Sequence, residues 1–460
     1  DSSVGALPAL QLQLYDSAGA AITATWGTCT ADANWCEFVV PNTDKSPPSG
    51  NKDRVFTIKR KTNPTGWFGV NQLYAGGSNK DYQFDTPKMV SNRLYVSGVD
   101  FMEYSGSSSR DSAGLWQTSK NNPSFPAKCG INVALVLDLS NSIYKDDAQN
   151  AMRSAAKKFA TSLEGTPSQV AVYTFATDAP AEGSMNATLT LKPVSASAST
   201  VTNYIDGIRL PAEQSGNDGD AGGGTNWDQG IYQVAKSSEK YDVAIVLTDG
   251  SPTYYGKPVG GPGNSTNFRT VEEAVFSANA LKAKSTRVIG FGVGSGVSNG
   301  GANLQAISGT TINSDYYQTS DYDAAGTALR DLALGSCKGS ISVVKKIVPW
   351  DAPAGTTNGA TLATTPWTFG ATTTTSGVTI DPASAATDPN TGATSFNLTF
   401  DGGVSDAEVT VQETQQPGYT LQQVANKNAV CTQVGTTTDV PVTNVETTGF
   451  KASANKNYPV

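Results

Sequence analysis

Two apolar runs in the middle of the chain break off into acids. Val133-Ala134-Leu135-Val136-Leu137 ends in Asp138, and Val243-Ala244-Ile245-Val246-Leu247 ends in Thr248-Asp249. Unbroken apolar runs of this length predict strands buried on both faces, as in a parallel sheet covered by helices. Strands are expected over 131–137, 169–175, 242–248 and 286–292. Helical periodicity falls near 144–163, 226–237, 270–283 and 321–334, and Thr270-Val271-Glu272-Glu273 reads as a capping box at the start of the third. Strict alternation of strand and helix predicts a doubly wound α/β sheet.

The flanks follow a different period. Leu10-Gln11-Leu12-Gln13-Leu14 alternates apolar and polar, and Glu37-Phe38-Val39-Val40 and Val55-Phe56-Thr57-Ile58 follow between turn-rich segments. All three read as strands. Residues 106–128 are rich in Ser, Asn and Pro and read as a linker. After Lys338 the β pattern returns in Ile341–Val348, Ser395–Phe400, Ala407–Val411 and Val440–Asn444. The expected organisation is a β domain over 1–105, a linker over 106–128, an α/β domain over 129–337 and a second β domain over 338–460.

Composition narrows the chemistry. With 460 residues the chain exceeds one core. Its 32 basic and 40 acidic residues give a net charge of −8 with no basic tract, which argues against nucleic acid or an anionic membrane as partner. No run approaches the roughly 20 apolar residues of a membrane span. Histidine is absent, so Ser-His-Asp and Cys-His catalysis and histidine-bound zinc are excluded together. The sequence opens at Asp1 without a signal peptide and closes at Val460 without an apolar tail, and a trimmed form of a longer protein is expected. Of the five cysteines, Cys29 and Cys36 flank a short loop and are expected to bridge. Cys129 and Cys337 bracket the α/β domain and are expected to staple its ends, with Cys337–Cys431 as an alternative and free thiols as another.

Asp138-x-Ser140-x-Ser142 places a carboxylate and two hydroxyls where a parallel strand ends, the ligand-bearing rim of such sheets. Oxygen donors of this kind suit a hard divalent cation, although a helix N-cap after a strand would use the same residues. Gly222-Gly223-Gly224-Thr225 adds a threonine at the end of a glycine-rich loop, and Asp249 closes the second apolar run. Neighbouring parallel strands would bring Asp138, Ser140, Ser142, Thr225 and Asp249 to one rim. This set, in this order, resembles the metal-ion-dependent adhesion site of von Willebrand factor type A domains. The resemblance implies a Rossmann-like fold and a divalent cation, Mg²⁺ first, with Mn²⁺ or Ca²⁺ as alternatives. It also implies direct ligation by Ser140, Ser142 and Thr225, direct or water-mediated ligation by Asp138 and Asp249, and a position open to an oxygen on a partner. Residues 251–269, long and rich in Gly, Pro and Tyr, follow Asp249 and are either a specificity loop or a plain insertion.

A second constellation lies in the last domain. Lys345 shares a strand face with Ile341 and Val343, Glu413 opens Glu413-Thr414-Gln415-Gln416-Pro417-Gly418-Tyr419, and Asn444 lies in the last predicted strand. A buried lysine and glutamate are costly unless neutral or paired. A neutral amine beside an asparagine amide, polarised by a protonated carboxyl, can form an isopeptide bond and release ammonia. These segments resemble the Cna protein B-type domains of Gram-positive surface proteins, with one residue fewer between Pro417 and Gly418 than that family's motif has. The resemblance implies a Lys345–Asn444 bond with Glu413 as its catalytic acid, or Lys346 as the nucleophile instead. The first domain carries a fainter copy around Pro64-Thr65-Gly66-Trp67, with Arg60 where the glutamate would stand.

A type A domain between all-β, immunoglobulin-like flanks resembles the tip adhesins of sortase-assembled Gram-positive pili. The resemblance implies an extracellular, wall-anchored protein that grips a host matrix protein or a cell-surface glycan and is joined to a shaft pilin by sortase. A stalk component in which the metal only stabilises the fold is the alternative. An enzyme is not expected.

Overall fold

The computed structural model describes residues 11–22, 37–63, 65–69, 72–75, 78–81, 84–96, 100, 118–145, 148–209, 223–297 and 301–460. The expected Cys29–Cys36 bridge lies outside them.

In the first region β1 (Gln11–Tyr15) pairs antiparallel with β2 (Thr57–Thr62). After β3 (Trp67–Gly69) come the hairpin strands β4 (Gln72–Ala75) and β5 (Ser78–Asp81), and β6 (Phe84–Asp85) returns to β2. Leu14, Phe56, Ile58 and Met89 are buried. The strand expected over Glu37–Val40 does not form. Val39 is exposed, and Pro41 can add no amide to a ladder.

The described end of the expected linker is fastened down. β7 (Thr118–Lys120) pairs with β3. Lys120 N donates to Asn279 Oδ1 at 2.8 Å, Asn122 exchanges hydrogen bonds with the backbone of Val288 at 2.9 Å each, and Arg287 donates to Pro123 O at 2.7 Å. Polar side chains thus strap this segment to the central domain.

That domain contains β8 (Asn132–Asp138), α1 (Asn141–Lys145), α2 (Gln149–Ser162), β9 (Gln169–Phe175), β10 (Leu189–Pro193), α3 (Ser199–Gly207), α4 (Trp227–Lys236), β11 (Val243–Thr248), α5 (Phe268–Ala283), β12 (Arg287–Val293), α6 (Ala302–Ile307), β13 (Tyr316–Thr319) and α7 (Tyr322–Gly335). Its six strands run in the order β10-β9-β8-β11-β12-β13, all parallel to their neighbours except β10. Alternate residues of β8 bury into opposite layers: Ala134 and Val136 with Trp227 and Ile231, Val133, Leu135 and Leu137 with Met152, Phe159 and Leu329. Each large side chain buried this way contributes roughly 2 kcal/mol. α5 begins two residues earlier than its expected capping box. Asn267 is the N-cap, accepting from Thr270 N at 3.0 Å, while Thr270 Oγ1 accepts from Asn267 N.

Cys129 and Cys337 are disulfide-bonded, so the alternative Cys337–Cys431 bridge does not form, and Cys431 is a half-buried free thiol. The bond closes the domain where the chain enters and leaves it. Ser395 Oγ, from the last region, donates to Cys129 O at 3.0 Å beside it.

The last region contains β14 (Ser340–Val344), β15 (Lys346–Ile347), β16 (Thr361–Leu362), β17 (Thr368–Thr373), β18 (Val378–Asp381), β19 (Ser384–Ala386), β20 (Ala393–Phe400), β21 (Asp406–Glu413), β22 (Cys431–Thr432), β23 (Asp439–Val440), β24 (Val442–Val445) and β25 (Gly449–Asn455). Two sheets, β14-β20-β18 and β19-β17-β21-β25-β24, bury Trp367, Phe396, Val409, Val411 and Phe450 in one core.

Candidate metal centre

Register places the central cluster. Leu137 of β8 pairs with Leu247 of β11, so Asp138 and Thr248 leave the sheet side by side at its carboxyl end. Asp138 is fully buried, and its Oδ1 accepts from Ser140 N at 2.8 Å. Its Oδ2 accepts from the Thr248 hydroxyl at 2.6 Å. Ser140 Oγ and Ser142 Oγ lie 3.1 Å apart, and the Ser142 hydroxyl donates to Asp249 Oδ1 at 2.6 Å.

Thr225 arrives on the loop before α4, whose N-cap Asn226 accepts from Gln229 N at 3.0 Å. Asn141 N donates to Gly223 O at 2.8 Å, which ties this loop to the Asp138 segment. Only glycine fits at 223 and 224. A Cβ there would come within about 2 Å of the Asn141 amide and the Tyr254 ring respectively. Thr225 Oγ1 has no hydrogen-bond partner among the described residues. It faces Gly250, where a Cβ would sit 3.6 Å from Thr225 Oγ1 and 4.0 Å from Ser142 Oγ. The structure therefore brings all five expected residues to one rim, around a space that glycine leaves open.

The electrostatics favour a cation there. Burial, and then the neighbouring Asp249 carboxylate, push the Asp138 carboxyl up to about 7. Two carboxylates this close resist ionising together. Among the described residues no three acids, cysteines or histidines gather, so the cluster is two carboxylates and three hydroxyls. That all-oxygen set fits Mg²⁺ or Mn²⁺.

Residues 132–331 match the von Willebrand factor type A domain. The chain contains a type A domain. No curated protein matches the chain. Among solved structures it is similar to proximal thread matrix protein 1 from the mussel byssus, at 20% identity over 46% of each chain with a TM-score of 0.32. It is also similar to the pilus adhesin SpaC from Lactobacillus rhamnosus GG, at 13% identity over 73% of this chain and 45% of that one, TM-score 0.34. A third is the PilB minor pilin from Streptococcus sanguinis, at 11% identity over 72% and 88% of the two chains, TM-score 0.31. The chain spans less than half the length of the first two.

Two residues that the sequence reading passed over shape the type A centre. Thr248 directly precedes Asp249 and holds Asp138; Gly250 directly follows and keeps the rim open. The segment after Asp249 is bolted to Thr225, whose carbonyl accepts from Thr253 N at 2.8 Å and Tyr254 N at 3.0 Å. Gly256 N reaches Asp228 Oδ2 at 2.9 Å. Among the described residues, no helix is long and apolar enough to cross a membrane.

The second constellation is only partly assembled. Lys345 Nζ lies 2.7 Å from Glu413 Oε2 and 4.2 Å from the centroid of the Trp367 ring. Both side chains are largely buried, and Glu413 Oε1 has no hydrogen-bond partner among the described residues. Asn444 does not join them. It is exposed on edge strand β24, its Oδ1 accepting from Asn428 N at 2.8 Å and its Nδ2 donating to Asn426 O at 2.9 Å. A Lys345–Asn444 bond would require Asn444 to abandon both contacts, so the structure gives that bond no support. Lys346 is exposed, and it is Lys345 that meets Glu413.

Proposed function

We propose that this chain is a bacterial surface adhesin whose type A domain holds a divalent cation, Mg²⁺ first, and through it grips an oxygen-bearing group on a host matrix protein or a cell-surface glycan. The observation that carries the reading is the convergence of Asp138, Ser140, Ser142, Thr225 and Asp249 at the carboxyl rim of the sheet. A bound cation supplies the charge that offsets the carboxylates and a point of attachment for the ligand's oxygen. Ser140, Ser142 and Thr225 would offer neutral donors. Asp138 and Asp249 would face the cation directly or through water. The rest of the proposal is the setting: a Gram-positive sortase-assembled pilus, extracellular and wall-anchored, with immunoglobulin-like β flanks carrying the type A domain away from the shaft. It is a binding protein rather than an enzyme.

Adhesion of the full chain to immobilised matrix proteins and to a glycan array tests this, with and without a chelator and with Asp249→Ala. Binding lost under both treatments is expected. Binding that survives both, with the fold intact, would transfer the reading to a stalk component whose cation serves only the fold.

A further inference from the structure

One buried hydroxyl touches all three segments that build the centre. Thr248 Oγ1 lies 2.6 Å from Asp138 Oδ2, 3.3 Å from Gly250 N and 3.3 Å from Trp227 Nε1, with Gly250 O at 2.9 Å. Its single proton goes to the closer acceptor, Asp138 Oδ2 at 2.6 Å. Its lone pairs receive the Gly250 amide and the Trp227 indole. Trp227 opens α4, two residues after Thr225, and Gly250 follows Asp249.

We propose that Thr248 is the positioning residue of the cation site, an inference that rests on reading the centre as a cation site. Ser140 N on Oδ1 and the Thr248 hydroxyl on Oδ2 fix the plane of the Asp138 carboxylate. Each bond occupies part of one oxygen's accepting capacity and leaves the remainder for ligation. The same hydroxyl, through Trp227 and Gly250, sets where the Thr225 and Asp249 segments stand relative to that carboxylate. Without it the carboxylate can turn about its own axis, and a fully buried indole N–H loses its acceptor.

The test is Mn²⁺ binding to the full chain, followed by calorimetry and by the EPR signal of free Mn²⁺, for the wild type, Thr248→Val and Thr248→Ser. Loss of a residue that orients a ligand lowers metal affinity about 10- to 100-fold. That loss is expected in Thr248→Val, with near wild-type affinity restored in Thr248→Ser. Thermal unfolding of the metal-free proteins runs in parallel. If Thr248→Val lowers the metal-free melting temperature yet binds Mn²⁺ as the wild type does, the residue is merely structural and the proposal is overturned. Failure of serine to rescue overturns it as well. Should Thr248→Val not fold, Thr248→Ala carries the same expectation. A wild type that binds no Mn²⁺ defeats the cation reading itself, a result distinct from equal binding by all variants.

Discussion

The Ser142 hydroxyl, in α1 just past β8, donates to Asp249 Oδ1 just past the neighbouring strand β11, across 2.6 Å and 107 positions of chain. The bond holds one acid while Thr248 holds the other, so the rim is prearranged. Prearranged donors bind with little ordering cost.

Gly250 gives a direct probe of the space between the hydroxyls. A Cβ there makes only ordinary contacts, at 3.6 Å and 4.0 Å, so Gly250→Ala is expected to fold. The methyl group would nonetheless stand between Thr225 and Ser142, and Mg²⁺ affinity is expected to fall about tenfold or more. Calorimetric titration checks this; unchanged affinity would remove Gly250 from the site.

Lys345 and Glu413 form a buried pair whose value appears only when it is broken. Glu413→Ala leaves an ammonium buried beside Trp367 and is expected to cost the last domain about 3–5 kcal/mol. Lys345→Met combined with Glu413→Leu is expected to recover most of it. Urea unfolding of the wild type, Lys345→Met, Glu413→Leu and the double variant forms the cycle, and additive losses would deny the coupling. Intact mass is the companion measurement. Because Asn444 is held by Asn426 and Asn428, the mass of reduced Asn444→Ala should differ from the wild type by the substitution alone. An ammonia deficit present in the wild type and abolished in that variant would contradict the structure.

Lys282 makes stability depend on pH at the strap. Its ammonium donates to Lys120 O at 2.9 Å and lies 5.2 Å from the Phe68 ring centroid. Burial lowers it to about 7, against the pull of Asp315 and with a further push from Arg287. The unfolded chain keeps that proton to about 10.4. Between those values the unfolded state binds more protons, so stability rises with pH; below the folded value the penalty is complete. Wild-type unfolding free energy should therefore climb from pH 7 toward 10, by up to roughly 1.4 kcal/mol per pH unit, and Lys282→Met should flatten the climb. Parallel profiles for the two proteins would show that the residue does not titrate on folding.

The parts of this molecule written in apolar patterning were readable from the chain. β8 and β11 are central strands, buried on both faces, and their five-residue apolar runs said so. β10 and β13 are short, half-buried edge strands and left no such trace. The strap at 118–123 escaped because its bonds to Asn279, Arg287 and Val288 each join one polar side chain to a backbone group far away in the chain, and a backbone partner carries no residue signature. The five rim residues were legible because each stands at a strand end or loop end. Thr248 was not, since a threonine closing a buried strand looks like ordinary β-branched filling until Asp138 is seen beside it. Asn444 misled for the opposite reason: β24 is an edge strand whose amide is satisfied locally, and sequence does not distinguish an edge from a core position.

Calorimetric titration of Mn²⁺ into the full chain, with Asp138→Asn and Asp249→Asn as comparisons, measures whether these five residues hold one divalent cation. One saturable site per chain is expected, weakened at least about a hundredfold in either variant. Metal-free Asp138→Asn is expected to be at least as stable as the wild type, because a buried acid beside a second acid is removed. A wild type that binds no Mn²⁺, or variants that bind it equally well, would show that the five residues hold no cation.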